Sequence, residues 1–166
     1  MTRGAEPTAS EIFETFFDAE HDRLFRVLCL VTGDAEEAKE LTQEAFLRVW
    51  ERWDTVRSHP NPAGYLYRTG FNLSSNRLRH LRRTPHRLFL PPEDINALAR
   101  VEDRQTLLPA LRKLTRRQRA ALLLTEVLDL NSEDAAEILR VRAVTVRVLA
   151  SQARAALRSS MEATDE

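Results

Sequence analysis

Apolar residues recur along most of the chain at the three- and four-residue spacing of helices with one buried face. The pattern predicts a first helix that ends at Gly33, because glycine readily adopts the left-handed conformation that closes a helix. A second helix follows from Asp34, whose side chain can cap it while Glu37 reaches back in a capping box. The predicted inward positions of these two helices are Phe13, Phe16, Phe17, Leu24, Val27, Leu28 and Val31, then Ala38, Leu41, Ala45, Val49, Trp53 and Val56, and we also expect Trp50 in the core.

A third helix is predicted to begin at Pro62, since proline suits the first helical position. Its apolar positions Tyr65, Leu66, Leu73 and Leu81 carry it to about Arg83. The segment TPHRLFLPPEDIN then breaks the pattern with three prolines, which indicates a linker, and helical periodicity returns near Asp103.

The C-terminal part of the chain has the outline of a helix-turn-helix. Thr115 and Gln118 fit a capping box for a helix that ends near Leu128. Asn131 begins a short helix to Leu139, and another begins near Ala143. No strand-like alternation is visible. We therefore expect an all-α protein of two small helical domains joined by a flexible linker, with domains at 10–84 and 105–160, the linker at 85–104, and a helix-turn-helix in the C-terminal domain.

The net charge is zero, but the charges are not evenly distributed. Residues 1–60 hold 7 basic and 13 acidic residues, whereas residues 61–90 hold 6 arginines and no acidic residue. An acidic block followed by a purely basic one indicates two faces for two different partners.

The basic block lies on the third predicted helix. Arg68, Asn72 and Ser75 share one side of it with further arginines, and leucines lie roughly opposite. Arginine suits phosphate, asparagine suits a base edge, and Phe71 beside this face suits stacking on an unpaired base. The alternative is an ordinary solvated face. We expect Arg77 to pack its stem on the apolar side while its head meets water or an acid.

The acidic block lies on the second predicted helix, DAEEAKELTQEAFLRVWERW. Its outward residues would repel DNA, so this face meets either water or a basic protein partner. From composition alone, the solvated face is the better interpretation.

Several classes of function find no support in the sequence. The single cysteine, Cys29, lies in an apolar stripe and is expected to be a core thiol. The four histidines have no metal-ligand spacing, and no carboxylate pair has a recognisable catalytic spacing, so we expect no metal, no cofactor and no enzymatic activity. Neither a membrane span nor a secretory signal is visible, which favours a cytoplasmic protein without a membrane partner.

Three blocks in order resemble the extracytoplasmic-function sigma factors, small members of the bacterial sigma-70 family that have only the second and fourth conserved regions. The blocks are ELTQEAFLRVW, AGYLYRTGFNLSSNRLRHLRR and LPALRKLTRRQRAALLLTEVLDLNSEDAAEIL. The resemblance covers almost the whole chain and implies a promoter-specificity subunit whose partners are core RNA polymerase and promoter DNA. Many members of the family are also held inactive by an anti-sigma factor, which makes such an inhibitor a further candidate partner.

The resemblance also implies roles for individual residues. On the second helix it implies docking on core RNA polymerase through Glu40, Leu41, Gln43, Glu44, Phe46 and Arg48. On the third helix it implies opening and reading of the −10 promoter element through Arg68, Phe71, Asn72, Asn76, Arg79, Arg82 and Arg83. Phe71 and Asn76 depart from the family, which usually has Arg and Asp there.

In the helix-turn-helix, the resemblance implies reading of the −35 element by Arg140, Arg142, Thr145, Arg147, Gln152 and Arg154. Arg140 replaces a turn glycine, which costs about 1 kcal/mol if that position needs a positive φ. Arg142 replaces a capping serine, at a similar cost of about 1 kcal/mol. Val148 and Leu149 stand where a DNA-reading helix usually has polar or basic residues. We expect altered or weak −35 recognition, with a structural or protein-bound helix as the alternative.

Three functions compete on this basis. The favoured one is a sigma factor that directs promoter recognition, strand opening and transcription initiation. The others are a sigma-like protein-interaction module that reads DNA weakly, and a stand-alone helix-turn-helix transcription regulator.

Overall fold

The computed structural model describes residues 6–80 and 101–163, with side chains described for 6–77 and 107–163. The N-terminal half (residues 6–80) consists of α1 (Ala9–Thr32), α2 (Ala35–Glu51), α3 (Trp53–Val56) and α4 (Pro62–His80). The C-terminal half (residues 101–163) consists of α5 (Val101–Lys113), α6 (Arg116–Leu122), a π-helical turn (Leu123–Val127), α7 (Ser132–Leu139) and α8 (Ala143–Glu162). The described residues contain no strand, which confirms the prediction of an all-α protein. Most of the predicted linker at 85–104 lies outside them.

Local signals in the sequence set the helix ends. Gly33 closes α1 at φ 72°, and the Asp34 side chain accepts hydrogen bonds from the backbone N–H groups of Glu36 and Glu37. Thr115 and Gln118 form the predicted capping box, and Asn131 caps α7. These predictions are confirmed. The second half of the capping box predicted at Asp34 is wrong. The Glu37 side chain does not reach back to the backbone of Asp34, because it binds Arg116 of the C-terminal half.

The core of the N-terminal half fills the space between α1, α2 and α4. Leu24, Leu28 and Leu66 are fully buried, and Gly70 allows α4 to approach α1 closely: a Cβ at Gly70 would lie 3.2 Å from Leu24 Cδ1. Cys29 is also fully buried, and its burial raises the pKa of the thiol to about 12. The prediction of a core thiol is therefore confirmed.

An aromatic cluster closes one end of this core. The Phe13 ring lies 5.1 Å from the Trp53 ring between centroids, and Trp53 Nε1 donates a 2.9 Å hydrogen bond to the carbonyl of Ala9. Trp53 is 5% exposed, as predicted for a core residue. The same prediction for Trp50 is wrong, since 45% of that residue is exposed at the edge of the apolar stripe.

The two halves pack against each other and share one hydrophobic core. Arg119 on α6 reaches across, where its guanidinium donates to the carbonyl of Val31 at the end of α1 at 3.0 Å. It also donates to the carbonyls of Leu111 and Leu114 at 3.3 and 3.1 Å. One side chain thus satisfies carbonyls at the ends of two helices, where intrahelical donors are lacking. Burial, and secondarily the nearby Arg116, lower the pKa of Arg119.

Arg116 forms a second tie between the halves. Its Nη2 donates to Glu37 Oε1 of α2 at 2.6 Å and to Ser74 Oγ of α4 at 2.7 Å. The Arg116 and Glu37 side chains are only 13% and 14% exposed, so water screens the pair weakly. We call this contact the Arg116–Glu37 tie.

No helix within the described residues is both long enough and apolar enough to cross a membrane.

We expect Glu37→Gln to destabilise the protein, because it leaves the partly buried Arg116 cation without its carboxylate. The expected loss is about 2 kcal/mol, which lowers Tm by roughly 4–8 °C for a chain of this size. Glu36→Gln is the matched control: it makes the same charge change at the neighbouring exposed residue and should leave Tm within about 1 °C. Equal melting temperatures for the two variants would show that the tie contributes nothing to stability.

Candidate nucleic-acid and protein interfaces

The residues predicted to dock on a polymerase divide into a surface set and a core set. Gln43 is exposed, and Glu44 pairs with Arg48 one helical turn away at 2.7 Å. Leu41 and Phe46 are 2% and 4% exposed. The expectation that these two side chains form part of the docking surface is wrong here, because they lie on the stripe of α2 that fills the core.

Two apolar residues of α2 were not predicted as surface contacts. Leu47 and Trp50 are 56% and 45% exposed, the largest such values on this helix. With Gln43 they follow the i, i+4, i+7 spacing of one helix face. That spacing, offset from the stripe of Leu41, Ala45 and Val49, is the sequence signal that could have identified them. We call Gln43, Leu47 and Trp50 the α2 ridge.

The Arg77 side chain is one-third exposed and pairs with Glu40 of α2 at 2.7 Å. This confirms the prediction that its head meets water or an acid, and the partner is an acid. Glu40, predicted to dock on a polymerase, is therefore already engaged by α4.

The polar face of α4 lies against the C-terminal half. Asn72 and Ser75 line a cleft of about 260 Å³ between the halves, opposite Arg117, Arg140 and Leu149. Arg68 approaches Glu137 of α7 at 3.7 Å, at the outer limit of an ion pair. The face predicted to bind DNA thus faces α7 and the start of α8. Asn76 is exposed, whereas the Arg79 side chain and both Arg82 and Arg83 lie outside the described residues.

Phe71 is 1% exposed. The expectation that its ring is available to stack on a base is therefore wrong in this arrangement. The physical reason is that α4 is covered by α1 and α2 on one side and by α7 on another. Its buried arc is wider than the one that leucine spacing alone indicates.

The turn between α7 and α8 has the positive φ that is costly for a residue other than glycine. Arg140 has φ 55° and ψ 46°, a left-handed conformation that L side chains adopt at a cost. Arg142 occupies the N-cap position of α8 and makes no side-chain capping hydrogen bond. Arg140 in place of glycine and Arg142 in place of serine therefore both have the geometry for which a loss of folding free energy is predicted.

The outer face of α8 is open to solvent. Val144 and Val148 are 45% and 49% exposed, and Arg147, Ser151 and Gln152 are exposed beside them. Leu149 is only partly exposed and packs against the shared core, so it has a structural role here. Of the two apolar residues that stand at usually polar positions, Val148 is therefore available to a partner and Leu149 is not.

The remaining residues predicted to bind the −35 element are at the surface or close to it. Arg147 approaches Glu133 at 3.5 Å and Arg154 pairs with Glu126 at 2.7 Å. Gln152 accepts a hydrogen bond from Gln118 Nε2 at 3.2 Å, and Thr145 is half-buried. The surface ion pairs are screened and cost little to exchange for phosphate contacts.

We expect Arg140→Gly to stabilise the protein by about 1 kcal/mol, because glycine has no Cβ to strain the left-handed turn. This corresponds to a rise in Tm of roughly 2–4 °C in thermal denaturation. Arg140→Ala is the matched control, since it removes the same side chain but keeps the Cβ. A rise of equal size in both variants would show that side-chain charge, not backbone strain, sets the effect.

Two sequence families match the chain, one on each half. The family described as Sigma-70 region 2 matches residues 16–84. The family described as Sigma-70, region 4 matches residues 104–157. The two matches together span most of the chain.

Individual relatives agree with the family matches. The chain is 30% identical to an RNA polymerase sigma-E factor of Streptomyces coelicolor over 156 residues, which are 92% of this chain and 88% of that relative. It is 28% identical to the ECF RNA polymerase sigma factor SigM of Mycobacterium tuberculosis, over 87% of this chain and 74% of that relative. The fold is shared with the sigma factor RpoE of Bartonella quintana, solved in complex with the anti-sigma factor NepR, at a TM-score of 0.77 and 20% identity over 91% of this chain and 97% of that one.

Proposed function

Because the chain belongs to the extracytoplasmic-function sigma factors of the sigma-70 family, which are transcription initiation factors and not enzymes, we propose separate roles in initiation for α2, α4 and α8. Residues 10–84 act as the region 2 domain, residues 85–104 as the linker, and residues 105–160 as the region 4 domain. The protein works in the cytoplasm, where bacterial RNA polymerase transcribes. A stand-alone helix-turn-helix regulator is not favoured, since the resemblance extends over both halves.

The observation that carries the proposal is the α2 ridge. A face with exposed Leu47 and Trp50 beside Gln43, flanked by the Glu44–Arg48 pair, has the composition of a protein-binding surface. Large exposed apolar side chains with a polar rim are typical of interface cores, and tryptophan is enriched among residues that dominate binding energy. We propose that this ridge docks on core RNA polymerase.

Binding of the purified chain to purified bacterial core RNA polymerase tests this role. We expect Gln43→Ala combined with Glu44→Ala, and separately Leu47→Ala combined with Trp50→Ala, to weaken binding at least about tenfold each, equal to roughly 1.4 kcal/mol. All four side chains are wholly or partly exposed, so the fold should survive, as circular dichroism would verify. Ser159→Ala combined with Glu162→Ala, which also removes one carboxylate but lies at the exposed end of α8, should bind like the unaltered chain.

A folded chain that fails to bind the polymerase, or whose binding is unchanged by both α2 variants, would contradict the assignment of α2.

The polar face of α4 and the outer face of α8 are proposed to contact promoter DNA. On α4 the described candidates are Arg68, Asn72 and Asn76, which suit the −10 element. On α8 and its preceding turn they are Arg140, Arg142, Thr145, Arg147, Gln152 and Arg154, which suit the −35 element in the manner of a helix-turn-helix in the major groove.

The closed arrangement limits which of these faces can bind DNA at once. Asn72 and Ser75 line the cleft opposite the C-terminal half, so that half covers them on the side from which a DNA strand would approach. The outer face of α8 has no such obstruction. We therefore infer that the two halves separate when both promoter elements are bound, and that the Arg116–Glu37 tie breaks in that step.

A protein inhibitor is a further proposed partner. The Bartonella quintana sigma factor with the same fold was solved with an anti-sigma factor bound. An inhibitor of this chain that covers the α2 ridge would exclude core RNA polymerase by direct competition.

A further inference from the structure

Two valines on α8 lie on its solvent-facing side. Val144 and Val148 lie one helical turn apart and are 45% and 49% exposed. The inward side of the same turns is formed by Val146 and Ala150, which are 0% and 2% exposed. Helix propensity does not account for the outward valines either, because a β-branched side chain loses rotamer freedom in a helix.

The charges that α8 itself carries around the two valines are positive, and Glu133 of α7 approaches Arg147 at 3.5 Å in an exposed pair that a phosphate could replace. From Ala143 to Met161 the helix contains no Asp or Glu, and Arg147 lies between the two valines in sequence. Arg140 and Arg142 precede the helix, and both are exposed. Two exposed valines with arginines beside them are chemically complementary to a partner that presents methyl groups close to phosphates.

Duplex DNA has this combination in its major groove. The C5 methyl of thymine is the apolar group displayed there, whereas cytosine presents an amino donor at the neighbouring position. A valine would leave that donor without an acceptor, which disfavours cytosine. Side chains four residues apart are separated by about 6 Å along a helix axis, and bases in one strand are about 3.4 Å apart along the duplex, so one helix face can span two nearby base pairs.

We propose that Val144 and Val148 read two thymine methyl groups in the upstream promoter element, and that they set the base preference of this chain at those two positions. This inference rests on the proposed function, in which α8 enters the major groove. Arg147 and the arginines of the turn then supply phosphate or base-edge contacts around the two valines.

Replacement of thymine by deoxyuridine tests the proposal, because deoxyuridine lacks only the C5 methyl. Duplexes randomised over the upstream element are first selected for binding to the holoenzyme formed with purified core RNA polymerase. Each thymine of the selected element is then replaced in turn by deoxyuridine. Burial of one methyl group is worth about 0.8 kcal/mol, so we expect about a fourfold loss of affinity at two positions.

Single variants test which thymine methyl group each valine contacts. Val144→Ser should bind the unmodified duplex about fourfold more weakly and should no longer respond to deoxyuridine at one of the two positions. Val148→Ser should lose the response at the other position. Both residues are exposed, so Tm should stay close to that of the unaltered chain.

Arg147→Ala separates failure of this inference from failure of the proposed function. If α8 lies in the groove, this variant weakens binding to thymine and deoxyuridine duplexes equally, whereas Arg158→Ala, at an exposed position about three turns further along α8, changes binding less. Loss of affinity in Arg147→Ala without any deoxyuridine effect would overturn the thymine inference and leave the role of α8 intact.

Three other results would also overturn the inference. One is the absence of enriched thymine in the selected duplexes. Another is equal weakening by the valine variants on both kinds of duplex, which points to a protein partner for the valines. The third is unchanged DNA binding in all three variants, Arg147→Ala, Val144→Ser and Val148→Ser. That result would show that α8 does not contact DNA, and it would contradict this part of the proposed function.

Discussion

The arrangement of the molecule depends on two arginines of α6, Arg116 and Arg119. Arg119 donates to carbonyls at the ends of α1 and α5, and Arg116 binds Glu37 and Ser74 of the N-terminal half. Guanidinium groups suit this position because their five donors satisfy several acceptors at once. Since each side chain is largely shielded from water, separating the halves requires both contacts to be replaced by hydration or by new partners.

The packing of the two halves leaves some of the proposed functional surfaces exposed and covers others. The α2 ridge and the outer face of α8 are open, so contact with a polymerase and with an upstream DNA element is compatible with the closed arrangement. The polar face of α4 is not open in this arrangement, because Asn72 and Ser75 line the cleft opposite the C-terminal half. The closed form is thus consistent with a factor that engages its partners in sequence, with strand opening last.

Local chemistry made much of the fold predictable from the sequence. Gly33, Asp34, Pro62 and Asn131 act within a few residues of themselves, so their effects on helix ends do not depend on distant packing. The turn at Arg140 was predictable for the same reason. Glu37 was assigned wrongly because its partner Arg116 lies in the other half of the chain, and Phe71 because α7 of the other half covers α4 in addition to α1 and α2. Trp50 shows the related difficulty that a helix pattern gives the direction of a stripe but not its width. The apolar spacing placed Leu41 correctly in the core, and what fails for Leu41 and Phe46 is the docking role that the family resemblance implies. On α8, the sequence identified an unusual outer face, and only the burial of Leu149 showed that Val148 is the exposed member of the pair.

The separation of the two halves is the central physical claim, and a distance measurement between them tests it most directly. Ser10→Cys in α1 and Ser159→Cys in α8 provide exposed attachment sites for spin labels, while the buried native Cys29, with its raised pKa, stays unlabelled. Pulsed electron spin resonance would compare the free chain with the holoenzyme on promoter DNA. The account predicts a single, narrowly distributed distance in the free chain and a clearly longer one in the promoter complex. The same distance in both states would contradict it.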